Sequence, residues 1–276
     1  MIAKKINYLL IFTVFISCNH NSANSHYKTA MKDLSKCDLT HALQEINISC
    51  DKEKDNPLYL LKRAEIKIML NKFYPCEILS DLNKLIKIDS FNAESFLVRG
   101  YMYNQIAILN IDCESDRNSN SSVRAFEKIN IDHQIFLTKK SLDDFKKAIS
   151  LRKDWYLIYE YRAETDRNYQ GLLLTKFSNK LLCIDPIKDI DTALSYISNK
   201  DSNEIASLYF YKAQFLINSD TVKARKELNK ALMMIPQKLN YYSFDPLNLE
   251  CNQRLINHDS LKKDYYTILK INKETR

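Results

Sequence analysis

The sequence predicts an all-α protein, an α-solenoid of about four to five helix pairs with inserted segments and a C-terminal capping helix. Three observations lead to this prediction. The 276 residues include only 2 glycines and 5 prolines, and a sheet-rich chain with many tight turns needs more of both. Hydrophobic residues make up 45% of the chain, which is enough for a substantial core. A short block also recurs four times, and each copy is followed by a second amphipathic segment.

The chain opens with the three zones of a secretory signal. Lys4 and Lys5 form a cationic start, an apolar core covers residues 8–16, and the small Ser17 follows. The apolar run is far shorter than the ~20 residues that a permanent membrane-spanning helix needs. We therefore predict that residues 1–17 are a signal peptide that directs export.

A cysteine comes directly after the small residue, in Phe15-Ile16-Ser17-Cys18. This tetrapeptide resembles the bacterial lipobox, although Phe15 replaces the commoner Leu. The resemblance implies cleavage before Cys18 and lipid attachment to its thiol. Residues 19–25 are polar and without apolar periodicity, so we predict that 18–25 form a lipidated flexible tether. Asn19, rather than Asp, favours the outer membrane over the inner one by the same resemblance. The alternative is a plain secretory peptide with an incidental cysteine.

The recurring block consists of a large apolar residue, two variable residues, a basic residue and a tiny residue. Its four copies cover residues 60–64, 96–100, 159–163 and 209–213. The second segments carry apolar residues with the i, i+3, i+4 spacing of a core-facing helix. They cover residues 81–88, 144–151, 189–194 and 227–236. Two helices therefore form one unit, and the tiny residue lets them approach closely.

These units resemble the tetratricopeptide repeat (TPR), a helix-turn-helix of 34 residues. The match is clearest over residues 206–236, at Tyr209, Ala213, Ala224, Leu228, Ala231 and Pro236. The resemblance implies a TPR-like helical repeat domain over residues 26–276, with a degenerate opening pair within 27–50. The tail at 260–269 is predicted to be a helix that caps the last unit.

Two units are longer than the TPR spacing allows. The first excess is predicted to be a loop insertion at about 108–134, because residues 112–122 are strongly polar. The second is predicted to be a helical insertion at about 170–186, because residues 172–182 are apolar. Either insertion could contact a partner or could be a tolerated extension.

Six cysteines remain if Cys18 is lipidated, an even number that permits disulfides in an exported protein. They are Cys37, Cys50, Cys76, Cys113, Cys183 and Cys251. Their wide spacing matches no metal-binding framework, and isolated cysteines are often small buried apolar residues. Cys37 and Cys50 bracket one predicted helix and form a possible pair.

We find no catalytic or cofactor-binding pattern, so we expect a protein that is not an enzyme. The only glycines are Gly100 and Gly171, which cannot form a phosphate-binding loop. The histidines lack the spacing of metal ligands; they are His20, His26, His41, His133 and His258. Residues 258–260 combine the residue types of a hydrolase triad, but they more simply begin a helix. The charge of +7 is spread along the chain, which argues against nucleic-acid binding.

The repeat assignment predicts a groove lined by first-helix residues that follow the large and the tiny positions. These residues are Leu61, Glu65, Leu97, Tyr101, Glu160, Glu164, Phe210 and Gln214. Their mixture of aromatic, aliphatic and acidic side chains suits an extended peptide or a protein partner in the cell envelope. The set lacks the Lys and Asn residues with which some TPR proteins bind a terminal carboxylate.

The competing hypothesis is a helical-repeat lipoprotein that binds or hydrolyses glycans. Glu160 and Glu164 lie one helical turn apart and could act as a carboxylate pair. Trp155 is the only tryptophan available for stacking on a sugar ring. A pocket that joins Trp155 to these carboxylates would favour this hypothesis.

Overall fold

The computed structural model describes residues 22–70, 75–111, 113, 129–177, 185–197, 202–217, 219–234, 241–242 and 255–256, with only the backbone for 202–203, 241–242 and 255–256. The predicted signal peptide, the lipid-attachment residue Cys18 and the predicted capping helix lie outside the described residues. The chain divides into two units, Met1–Phe91 and Asn92–Arg276.

The described residues of the first unit form two helix pairs. Its helices are α1 (Ala23–Leu34), α2 (Leu39–Lys52), α3 (Pro57–Met69) and α4 (Pro75–Ile88). The side chains of Ser22, Asp38 and Asn56 accept hydrogen bonds from the first turns of α1, α2 and α3, which satisfies N–H groups that have no partner inside the helix. The predicted opening pair is therefore present. The tether predicted over 18–25 overlaps the first turn of α1, because Ser22 already caps that helix.

The described residues of the second unit form three helix pairs. Its helices are α5 (Ala93–Leu109), α6 (Ile131–Leu151), α7 (Tyr156–Phe177), α8 (Pro186–Tyr196), α9 (Ser202–Leu216) and α10 (Thr221–Met234). Each helix packs against the next one in the chain. Two short strands, β1 (Tyr241–Tyr242) and β2 (Leu255–Ile256), pair in antiparallel fashion and were not predicted. The predicted all-α fold class, built from helix pairs, is confirmed.

Residues 170–177 of the helical insertion predicted at about 170–186 are helical, and residues 178–184 lie outside the described residues. Residues 170–177 continue α7 instead of starting a new helix, and α8 begins at Pro186. α7 contains no proline or other break before Phe177, so its hydrogen-bonded ladder can continue. The extension forms an ion pair with the first turn of α6, between Lys176 and Asp132. The loop predicted at about 108–134 overlaps the end of α5 at Leu109 and the start of α6 at Ile131, and most residues between these two helices lie outside the described residues.

The proposed pairing of Cys37 with Cys50 is wrong. Cys50 is a free, buried cysteine, whereas Cys37, Cys76 and Cys113 are disulfide-bonded. The physical reason is the length of α2. Cys37 precedes this helix and Cys50 lies near its end, so a rise of 1.5 Å per residue separates them by roughly 16 Å or more, far beyond disulfide reach.

Tiny residues of the recurring block are fully buried between the two helices of a pair. Ala64 and Ala163 have no exposed surface, and Ala213 is 3% exposed. In the second unit Ala163 lies in one apolar cluster with Ile190 of α8 and Leu208 of α9. Within the described ranges, no helix is both long enough and apolar enough to cross a membrane.

Candidate functional site

An arginine of the first helix and an aspartate of the second helix form a bidentate ion pair in three helix pairs. The pairs are Arg63–Asp81, Arg99–Asp144 and Arg162–Asp189, with N–O distances of 2.5–2.8 Å. The arginine is the basic residue of the recurring block, and the aspartate begins the second segment. Because a bidentate pair fixes both distance and orientation, it sets how the two helices of a pair meet.

In two of these ion pairs, the arginine guanidinium also lies over an aromatic ring of its own helix. The guanidinium of Arg99 lies 5.6 Å from the ring centre of Phe96, and that of Arg162 lies 5.5 Å from Tyr159. Each ring occupies the large position of the block, three residues before the arginine. The basic residue is therefore structural and is committed to the second helix, so it does not line the predicted groove.

The last described pair departs from this arrangement. Lys212 replaces the arginine, and its ammonium contacts Asp191 of α8 at 2.5 Å. Glu227 replaces the aspartate and pairs with Lys230 of its own helix at 2.8 Å. Lysine cannot form the two parallel hydrogen bonds of a guanidinium. The α9–α10 pair is therefore held without a bidentate ion pair.

Only half of the residues predicted to line the groove are accessible in the structure. Four of its eight residues are buried, with 0–6% of their surface exposed; they are Leu61, Glu65, Leu97 and Glu160. The other four are partly exposed; they are Tyr101, Glu164, Phe210 and Gln214. These four belong to the first helices of the second unit, and we call them the first-helix face. The buried four are not accessible to a partner without rearrangement.

Three glutamates come together beside this face. Glu160 and Glu164 lie one turn apart on α7, and Glu204 approaches them from α9. Burial, together with the charges of Glu164 and Glu204, raises the pKa of Glu160 to about 8. Burial also raises the pKa of Glu164, and the nearby Arg167 opposes this rise. We refer to Glu160, Glu164 and Glu204 as the acidic cluster.

Polar residues one turn further along the first helices continue the same stripe, although Asn104 among them is buried. Arg167 Nη1 lies 3.5 Å from Gln214 Oε1, and Asn168 donates a hydrogen bond of 3.3 Å to Asn104. Sequence reasoning missed Asn104, Arg167 and Asn168. They occupy the next i+3 and i+4 positions after the predicted groove residues, so extending the same stripe by one turn would have found them.

Asp166 lies on a different side of α7, near the Arg162–Asp189 ion pair. Burial and the charge of Asp189 raise its pKa to about 7, and Arg162 opposes the rise. One guanidinium therefore faces two buried carboxylates. The equivalent residue in the second helix pair is Lys67, which adds a cation instead.

A polar cavity of about 460 Å³ lies in the first unit. It is lined by Leu43, Asn47, Arg63, Lys67, Glu77, Ser80 and Asp81. Its charges are paired, because Lys67 Nζ lies 3.0 Å from Glu77 and 3.5 Å from Asp81, and Asp81 also holds Arg63. Since these groups satisfy one another, the cavity is a weaker candidate for ligand binding than the acidic cluster.

The described residues do not support a metal or glycan site. No group of three metal-binding side chains occurs among them. The guanidinium of Arg152 lies 4.6 Å from the ring centre of Trp155, so it competes with a sugar for one face of that ring. Trp155 precedes α7, whereas Glu160 is buried within that helix. The arrangement therefore gives the glycan hypothesis no observation in its favour.

Comparison with solved structures identifies the same kind of fold. A thermophilic TPR protein of Thermus thermophilus covers 90% of this chain and 99% of its own, with 11% identity and a TM-score of 0.54. MamA residues 41 to the end, from Desulfovibrio magneticus RS-1, cover 77% and 94%, with 12% identity and a TM-score of 0.53. A further crystal structure of MamA covers 78% and 92%, with 14% identity and a TM-score of 0.51. No protein-family model and no curated protein sequence matches the chain.

Proposed function

We propose that this chain, a TPR-like repeat protein in its fold, is an exported and membrane-anchored lipoprotein that binds a protein or peptide partner in the cell envelope. Lipid on Cys18 holds it to a membrane, with the outer membrane favoured over the inner one. The repeats act as a binding scaffold and not as an enzyme.

The observation that carries the binding proposal is the first-helix face. Tyr101, Glu164, Phe210 and Gln214 come from three successive first helices and all retain exposed surface. The basic residues of the repeats point instead toward the second helices, where they hold the fold together. The face is therefore built on rigid helices and offers aromatic and polar groups that suit an extended chain.

Two independent observations support export and anchoring. The first 18 residues carry the pattern of a signal peptide and the lipobox-like tetrapeptide ending at Cys18. Cys37, Cys76 and Cys113 are disulfide-bonded, and structural disulfides form in oxidising compartments outside the bacterial cytosol. A second acyl chain makes membrane attachment stable, because each buried methylene contributes ~0.8 kcal/mol.

The anchor is tested by Cys18→Ala in cells fed with labelled palmitate. We expect loss of the label and accumulation of unprocessed or released protein. Cys50→Ala is the matched control, because it removes another thiol without changing the signal peptide, and it should keep the label. Unchanged membrane retention of the Cys18→Ala protein would overturn the anchor.

The binding face is tested by a photo-crosslinking amino acid placed at Gln214 in living cells. Lys146, an exposed residue of the second helix α6, serves as the control position. We expect a discrete adduct from position 214 that is absent from position 146. Equal adducts from both positions, or none from position 214, would contradict the assignment of this face.

A further inference from the structure

The buried carboxylate of Glu160 has no partner in the described part of the chain. The residue is 6% exposed, yet it accepts no hydrogen bond, and the charges that act on it are those of Glu164 and Glu204. A buried carboxylate is costly unless a cation or a donor satisfies it. Glu160 is therefore the one member of the acidic cluster that is both buried and unsatisfied.

Arg167 of α7, the cation that acts on Glu164, is engaged elsewhere. Arg167 lies near Gln214 and places its guanidinium 5.6 Å from the ring centre of Phe215. Arg167 opposes the rise that burial causes in the pKa of Glu164, but it is not among the groups that act on Glu160. No cation among the described residues therefore acts on Glu160, and Glu164, the partly exposed neighbour of Glu160 on α7, belongs to the first-helix face.

A metal ion does not fit this cluster, because the described residues hold no three-ligand arrangement. A cation on a long, flexible stem fits better. Lysine and arginine side chains pack their methylene groups against apolar surface and deliver a charge beyond it. Tyr101 of α5 and Phe210 of α9 belong to the first-helix face, and their rings provide apolar surface.

We propose that the acidic cluster of Glu160, Glu164 and Glu204 binds a lysine or arginine side chain of the peptide partner. This inference rests on the proposed binding function and names the chemistry of the ligand. The cationic side chain supplies a positive charge next to Glu160, and the first-helix face contacts the rest of the peptide.

Proton release accompanies such binding. Because burial keeps Glu160 protonated around neutral pH in the free protein, an incoming cation lowers its pKa and expels the proton. The charged groups that act on this site are Glu164 and Arg167 from α7 and Glu204 from α9. Binding should therefore weaken as the pH falls below about 8, the pKa of Glu160 in the free protein.

The experiment measures binding of the full chain in detergent to short synthetic peptides that differ at one central residue. That residue is lysine, arginine, norleucine or glutamate. The test variant is Glu160→Gln with Glu164→Gln. The charge-matched control is Asp143→Asn with Asp154→Asn, which removes two exposed carboxylates of the same unit.

We expect the wild type and the control to bind the lysine and arginine peptides at least about tenfold more tightly than the norleucine peptide. The test variant should lose this preference while keeping the same far-ultraviolet circular dichroism spectrum. Calorimetry in buffers of different ionisation enthalpy should show proton release for the wild type and the control but not for the test variant.

Two results would overturn the proposal. If the wild type binds peptides without preferring a cation, or if the test variant keeps the preference, the cluster is not the cation site, although peptide binding itself still stands. If the wild type binds none of the peptides while it is folded, the proposed binding function fails as well.

Discussion

Gly100 of α5 lies directly against the ring of Phe145 of α6. A Cβ atom built on Gly100 would be 2.9 Å from Phe145 Cε1 and 3.1 Å from the carbonyl oxygen of Ser141. The Ser141 hydroxyl also donates a hydrogen bond of 2.6 Å to the Gly100 carbonyl. The other blocks place alanine at the tiny position, and their second segments place a smaller residue at the position of Phe145: Leu82, Ile190 and Leu228. A smaller residue at the tiny position therefore accompanies a larger residue at the facing position of the second helix.

Gly100→Ala should destabilise the protein by about 1–3 kcal/mol, because the added methyl group overpacks a closed contact. Phe145→Leu should relieve part of this loss when it is combined with Gly100→Ala. The free energy of unfolding in urea, measured for both single variants and the double variant, tests this compensation.

Gly171 provides the matched control. It lies in the extended part of α7, and a Cβ added there meets no atom within 4 Å. Gly171→Ala should therefore stabilise the protein by about 0.5–1 kcal/mol through helix propensity. Equal effects of Gly100→Ala and Gly171→Ala would show that the Gly100 contact is not tight.

The repeat blocks could be predicted from the sequence because they follow from local periodicity. The tiny and large positions recur at fixed spacing, and that spacing indicates the helix pairs, including the degenerate pair that contains Ala30 and Ala42. The continuation of α7 was missed because an apolar run after a repeat looks the same whether it extends a helix or starts one.

The ion pairs and the buried groove residues could not be predicted in the same way. Arg162 and Asp189 are separated by 27 residues, and no local pattern states that they meet. Glu160 was predicted to be accessible from its position on the first helix, yet packing against neighbouring elements buries it. Burial depends on the tertiary arrangement, which periodicity alone does not specify.

Removing one partner of a buried ion pair should be far more damaging than removing one partner of an exposed pair. Arg99→Met leaves Asp144, which is 5% exposed, without its cation and should cost about 3 kcal/mol. Adding Asp144→Leu should restore much of that loss, because no buried charge then remains unpaired. Urea unfolding of the two single variants and the double variant measures the coupling.

The control for this prediction is the ion pair between Lys212 and Asp191. Lys212→Met breaks a contact with the exposed Asp191 and should cost less than about 1 kcal/mol. A loss for Lys212→Met as large as that for Arg99→Met would contradict the distinction between buried and exposed pairs.

Stability should fall as the pH rises through the window between the ordinary and the raised pKa values of the buried acids. Glu160 moves from 4.5 to about 8 and Asp166 from 3.8 to about 7. Between these values the folded state holds protons that the unfolded state has released, so raising the pH favours unfolding. The destabilisation is complete above about pH 8 and absent below about pH 4.

Glu160→Gln should remove the part of this pH-dependent loss of stability that comes from Glu160. The variant should therefore become more stable than the wild type as the pH rises from about 5 toward about 9, with a melting temperature a few degrees higher at the alkaline end. Thermal unfolding followed by circular dichroism at several pH values measures this difference, with the exposed Asp143→Asn as a control. A constant difference across the whole range would show that Glu160 does not titrate in this window.

The disulfide-bonded cysteines share a place in the repeat. Cys37 lies in the turn after α1, Cys76 lies in the first turn of α4, and Cys113 follows α5. Each therefore marks the passage from the first to the second helix of a pair. Cys183 lies outside the described residues, and in the sequence it falls between α7 and α8. Successive pairs of a repeat array place equivalent turns at the same edge, so we predict bonds between Cys37 and Cys76 and between Cys113 and Cys183.

Cys50 should remain unmodified while the protein is folded. It is 3% exposed, and burial raises its pKa to about 11, so at about pH 8 only about one thiol in a thousand is the reactive thiolate. We expect iodoacetamide to label Cys50 only after unfolding. Rapid labelling of the folded protein would show that the α2 helix end opens to solvent.

Mass spectrometry of unreduced peptides tests the pairing and also bears on the anchor. The predicted bonds leave Cys18 available for lipid, which is what membrane attachment through its thiol requires. Reducing both bonds should lower the melting temperature, because each bond restricts the unfolded chain by about 2–4 kcal/mol. A peptide that joins Cys18 to Cys37, Cys76 or Cys113 would contradict the predicted pairing and would also exclude the thiol from lipid attachment in that molecule.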